Sequence, residues 1–202
     1  MEPHFNLAAY VDTVQDFPKP GIMFRDDTRL LEDHRMRAYA FNRLRGYLND
    51  AGVERICAID SRGFIYGTGA GPGLPITKVR KAGKLPTPPN DPVIYKSEDG
   101  RVIKTERIVR VQYGLEYGRD ALEIFRGRIQ RGEKIGIVDD VAATGGTAEA
   151  AAKAVEEEGG IVVCYAFLIE LPKATGDDGL NARQRLVRHH DGQDLVKSLL
   201  KF

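Results

Sequence analysis

Cysteine is scarce. The 202 residues hold two, Cys57 and Cys164, each inside a strand-like apolar run. Thiols so placed read as buried side chains, which fits a reducing cytoplasm better than a disulfide-stapled scaffold. Charge of one sign is scarce as well: 30 basic side chains face 29 acidic ones, for a net charge of +1. Such a balance gives no overall footprint for nucleic acid or for a membrane surface. No apolar run approaches the ~20 residues that cross a bilayer. The opening MEPHFNLAAY lacks a basic start and an apolar core, so no signal peptide is expected there. Internal repeats and low-complexity tracts are missing. Also missing are the G-x-x-x-x-G-K-[ST] of ATP-type phosphate loops and the G-x-G-x-x-G of dinucleotide turns. What remains, 42% hydrophobic and 29% charged, suits one globular domain over residues 1–202.

The most informative stretch is Ile135 to Thr147, IGIVDDVAATGGT. Ile135 to Val138 is compact and β-branched, as a buried strand is. Asp139 and Asp140 follow, then Ala143-Thr144-Gly145-Gly146-Thr147, then the helix-like AEAAAKAVEEEGG, closed by Gly159 and Gly160. Backbone N–H groups at such a turn and helix start point at an anion, and the glycines admit a phosphate. The paired carboxylates stand where the vicinal hydroxyls of a sugar or a hydrated Mg²⁺ would lie. The stretch resembles the phosphoribosyl-pyrophosphate (PRPP) motif of type I phosphoribosyltransferases.

Other segments carry a narrower likeness. FPKPGIMFRD, VRKAGKLP and LEYG-x-D-x-LEI resemble the adenine phosphoribosyltransferase family. Between them, residues 35–50 read as an amphipathic helix, with Tyr39, Phe41, Leu44, Tyr47 and Leu48 apolar. Ile56 to Ile59 reads as a buried strand ending in the turn Asp60-Ser61-Arg62-Gly63. Pro75 to Arg80 reads as a strand ending at Arg80, Lys81 and Lys84. Strand-like runs flank Asp99-Gly100, a hairpin dipeptide, in a loop enlarged by roughly twenty residues over the family pattern. A helix is expected from near Arg119 to Arg131, and a core strand over Ile161 to Ile169. From Leu171 onward the likeness fades, and LVRHHDGQDLVKSLLKF does not resemble the strand expected at the end. His189 and His190 read as surface residues rather than metal ligands.

The resemblance implies an α/β type I phosphoribosyltransferase fold: a central, mostly parallel sheet flanked by helices. It also implies a small N-terminal hood over residues 1–34 and a flexible β-hairpin loop over 86–118. It further implies AMP and pyrophosphate made from adenine and PRPP, in a cytoplasmic homodimer with neither nucleic acid nor membrane as partner. Mg²⁺ is the implied cofactor, held mainly through PRPP and water rather than by direct protein ligands. By the same likeness, Asp139 and Asp140 hold the ribose hydroxyls and Ala143 to Thr147 the 5′-phosphate. Asp60 to Gly63 with Arg80, Lys81 and Lys84 take the pyrophosphate. Met23, Phe24 and Arg25 wall the base. Relatives that use 6-oxopurines carry an acid just before the Thr-Gly pair. Ala143 stands there and cannot move a proton, so the general base falls to Glu116. A transferase for another purine or analogue is one alternative, and a PRPP-sensing regulator is another.

Overall fold

The computed structural model describes residues 5–86, 93–96, 102–105, 107–115 and 118–202. After a short 3-10 turn, β1 (Asp12–Gln15) and β2 (Met23–Asp26) pair antiparallel around the turn that Pro18, Pro20 and Gly21 impose. Then follow α1 (Thr28–Glu32), α2 (His34–Asp50), β3 (Arg55–Ile59), α3 (Gly63–Ala70) and β4 (Ile76–Lys81). Two ribbons come next, β5 (Val93–Lys96) with β6 (Val102–Thr105) and β7 (Ile108–Leu115) with β8 (Gly118–Phe125). The chain closes with β9 (Lys134–Ala142), α4 (Gly146–Glu157), β10 (Ile161–Glu170), α5 (Ala182–His189) and β11 (Val196–Lys201).

Among the described residues, seven strands form the main sheet, in the order β11-β10-β9-β3-β4-β8-β7. From β11 to β4 neighbours run parallel, and β8 and β7 add an antiparallel margin. Side chains alternate across the sheet and feed two cores. Cys57, Ile59, Ile135, Ile137 and Phe167 face α4 and α5, whereas Ile56, Ala58, Val138, Ala166 and Leu168 face α1, α2 and α3. Helix α2 buries Met36, Ala40, Leu44 and Leu48, spaced at one helical face, and Asp33 caps it by accepting from Arg35 N and Met36 N. Leu7, Val11 and Leu30 tie the N-terminal segment to the same core.

Three expectations need correction. Residues 118–125 are strand, not the start of a helix. Ala, Leu and Glu favour helices, but pairing with β7 and β4 overrides that weak preference and buries Leu122, Glu123 and Ile124. The C-terminal stretch does supply the closing strand, β11, parallel to β10. His189 and His190 are half-buried at the end of α5 rather than on open surface. Among the described residues, no helix is long and apolar enough to cross a membrane. Asp99 and Gly100 lie outside those residues.

Candidate active site

The chain leaves β3 toward β4 on one side, while β9 lies on the other. The carboxyl ends of β3 and β9 therefore flank a topological switch point, where open α/β sheets collect ligands. The turn Asp60 to Gly63 follows β3 there, and Asp139 and Asp140 stand in the last part of β9. The turn must come close to β9. A Cβ on Gly63 would lie 2.7 Å from the Val138 carbonyl oxygen and 3.0 Å from Asp139 Oδ1, so only glycine fits.

Asp140 is buried and Asp139 half-buried, and the pair is partly compensated. Asp140 N donates to Asp139 Oδ1 at 2.9 Å. Burial first, then the neighbouring Asp140 carboxylate, pushes the Asp139 carboxyl well above the ordinary carboxylate range. Burial also raises Asp140, against the pull of Arg62. Arg62 Nε lies 2.8 Å from Asp140 Oδ2, an ionic contact without hydrogen-bond alignment, so among the described residues that buried oxygen accepts no hydrogen bond. An orphaned acceptor of this kind suits an incoming hydroxyl or hydrated cation.

Beyond the acids, Ala143 to Thr147 form a half-buried turn leading into α4. Gly145 takes a left-handed φ of 80° and is the N-cap. A Cβ there would sit 2.8 Å from Ala182 Cα. Among the described residues no side chain caps α4, whereas Asp33 caps α2 and Asn181 caps α5 through a capping box. The first N–H groups of α4 are thus left for an anion, with the helix dipole behind them.

The cationic side comes from β4. Arg80 Nε donates to Asp60 Oδ2 at 2.7 Å, which brings its guanidinium to the turn after β3. Lys81 at the end of β4 and Lys84 on the following turn are exposed. That turn is fastened by Glu123, which accepts from Gly83 N at 3.0 Å and pairs with Arg110 at 2.6 Å.

From the N-terminal ribbon, Phe24 meets the Arg62 guanidinium at 5.1 Å from its ring centre and Phe17 edge-on at 5.2 Å. Met23 is exposed. The Arg25 side chain turns toward Thr13 and the Phe202 ring, so only its backbone remains for a base. One edge of β2 pairs with β1, and the other pairs with no strand among the described residues. Glu116 lies outside the described residues; Leu115 and Gly118 on either side of it pair across β7 and β8.

Three contributors escaped sequence reasoning. Glu123 shows only as an acid within an apolar run. Asp27 accepts from the Tyr66 hydroxyl in the core beside the site. Arg185 donates to the Thr144 carbonyl at 2.8 Å and so braces the anion turn from α5.

Solved structures share this fold. Adenine phosphoribosyltransferase from Thermoanaerobacter pseudethanolicus superposes with a TM-score of 0.78 at 35% identity, covering 97% of this chain and 98% of that one. The Saccharomyces cerevisiae protein, solved with an imino-altritol bisphosphate and adenine, superposes with a TM-score of 0.72 at 26% identity over 95% of each chain. The fold is that of the type I phosphoribosyltransferases. No protein-family model matches the sequence. Curated relatives narrow the class. Adenine phosphoribosyltransferase of Clostridium botulinum strain Hall is 37% identical over 177 residues, covering 87% of this chain and 92% of its own. That of a Cyanothece species is 39% identical over 181 residues, covering 87% and 93%. The chain belongs to the adenine phosphoribosyltransferase family.

Proposed function

We propose that this chain makes AMP and pyrophosphate from adenine and PRPP, as a purine-salvage pentosyltransferase. The observation that carries the reading is the meeting, at the switch point, of the Asp139–Asp140 pair, a glycine turn at the start of α4 and an Arg80–Asp60 pair.

In the reaction the bond from the ribose anomeric carbon to the pyrophosphate oxygen breaks, and a bond to adenine N9 forms. Positive charge develops on the sugar and negative charge on the leaving group. Asp139 and Asp140 hold the ribose 2′- and 3′-hydroxyls, and the orphaned Asp140 oxygen gains its missing donor. Ala143, Thr144, Gly145, Gly146 and Thr147 grip the 5′-phosphate. Asp60, Ser61, Arg62 and Gly63, with Arg80, Lys81 and Lys84, receive the pyrophosphate. A fixed cationic donor of this kind contributes roughly 3 kcal/mol to lowering the barrier. Met23, Phe24 and Arg25 form the base wall, with free carbonyls on the β2 edge accepting from the 6-amino group. A site that needs that donor rejects an oxo purine, because its own acceptors would be left unpaired.

Adenine must shed its N7 proton as N9 attacks. Ala143 has no titratable group, so Glu116 takes the proton. Buried carboxylate oxygens also suit a hard cation. Bound mainly through PRPP and water, Mg²⁺ would supply neutralisation of charge on the pyrophosphate. The reading includes residues 1–34 as a hood and a homodimer, both supported by family likeness. It also includes the cytoplasm, supported by the buried, unpaired Cys57 and Cys164.

A coupled assay with PRPP, Mg²⁺ and each common nucleobase tests it. Adenine alone should be turned over efficiently. Equal turnover of hypoxanthine would remove the adenine assignment.

A further inference from the structure

Helices α4 and α5 pack together, and their C-terminal ends bring three metal-ligating side chains to one place. Glu156 lies in the last turn of α4, His189 ends α5, and His190 is its C-cap. One ligand atom from each lies within 4.8 Å of the others. His189 Nε2 stands 3.0 and 3.1 Å from the two Glu156 oxygens. The two imidazole rings meet edge to face, 4.7 Å between centres. Zinc bonds of ~2.0–2.2 Å in a tetrahedron set ligand atoms ~3.3 Å apart, so closing this group takes side-chain shifts of about an ångström.

The surroundings favour a cation over a bare ion pair. The His190 Nε2 is 2.7 Å from the hydroxyl of Tyr165, a fully buried side chain. That contact fixes the ring by one nitrogen and leaves Nδ1 for a ligand, as supporting partners do in metal sites. A surface pair of one histidine and one carboxylate gives no reason for a second, anchored imidazole at the same point. Both helices also present the negative ends of their dipoles here. Glu149, held by Lys153 and Arg185, lies 4.0 Å from His189 Nδ1 and adds a further acid. Nothing in the transfer reaction uses Glu156, His189 or His190.

We propose that Glu156, His189 and His190 bind one divalent cation of the zinc type, with water completing the shell. The ion clips the end of α5 to the end of α4. Through Arg185 on Thr144, the clipped helix also braces the anion turn.

The test uses the full chain without a histidine tag, stripped by a chelator and titrated with Zn²⁺ at neutral pH against a chromophoric competitor. A single saturable equivalent is expected, with a dissociation constant in the micromolar range or tighter. Glu156→Gln and His189→Ala should each weaken binding by at least ~10-fold, and Tyr165→Phe by ~10- to 100-fold. Bound Co²⁺ should show visible d–d bands that vanish in His189→Ala. Circular dichroism and thermal melting of the metal-free variants establish that they fold; Glu156→Gln, which keeps size and shape, carries the test if His189→Ala does not. No saturable binding by the wild-type chain overturns the proposal. So does binding undiminished in Glu156→Gln, which would put the ion elsewhere, for example at Asp139 and Asp140.

Discussion

Arg62 spans the switch point to reach Asp140, with its Nε 2.8 Å from Oδ2 and its other face against the Phe24 ring. One guanidinium thus touches the turn after β3, the acid pair of β9 and the N-terminal ribbon. Replacing it by alanine removes the charge-assisted hydrogen bond proposed for it with the pyrophosphate, about 1.5–3 kcal/mol or roughly 10- to 100-fold. Arg62→Ala should therefore raise KM for PRPP by that factor in steady-state kinetics. Arg62→Lys should recover only part, since an ammonium cannot both lie on a ring and meet Oδ2. An unchanged KM would remove Arg62 from PRPP handling.

Asp139 is costly to the free protein. A carboxyl raised by folding holds its proton more tightly in the folded state. Its contribution is intact below the ordinary carboxylate value and is lost as pH rises through the raised one. Asp139→Asn should then gain about 1 kcal/mol, or ~2–4 °C in Tm, at neutral pH, with the gain vanishing in acid. The same variant should lose PRPP affinity by calorimetry. A lower Tm at neutral pH would contradict this account.

Glu116→Gln should lower kcat by about two to four orders of magnitude while PRPP affinity stays near wild type. Single-turnover kinetics with a PRPP titration separates the two. If turnover survives, another group takes the N7 proton.

Glu170 works in the opposite sense. Its hydrogen bonds with Arg183, foremost, and with Ser198 hold its carboxyl down from 4.5 to about 2. Its contribution is present above pH 4.5 and is lost as pH falls toward 2. Glu170→Gln should cost about 2 kcal/mol near neutral pH. Urea unfolding should show the difference shrinking as the buffer is acidified through that window. A cost that stays constant in acid would mean that Glu170 stabilises through packing alone.

The central crevice was legible because its parts are local in sequence. A β-branched run, two acids and a glycine turn sit within Ile135 to Thr147, and Asp60 to Gly63 directly follow their strand. What stayed hidden depends on distant partners. Residues 118–125 have helix-forming composition, and only their neighbours β7 and β4 make them strand. Arg185 meets Thr144 across 41 positions, a contact with no local signature. His189 and His190 gain their meaning from Glu156 on another helix and Tyr165 in the core. The Arg25 side chain was assigned with its neighbours, yet strand alternation sends it away from Phe24.

Among the described residues, the ribbon of β5 and β6 pairs with no strand of the large sheet, and β7 ends the strand order. Lengthening or trimming the chain at that margin should leave the register of β11, β10, β9, β3 and β4 untouched. Each doubling of such an excursion costs only ~0.6 kcal/mol of closure entropy. Size variation among relatives therefore has a cheap outlet at the sheet's rim, while the chemistry stays fixed in its middle.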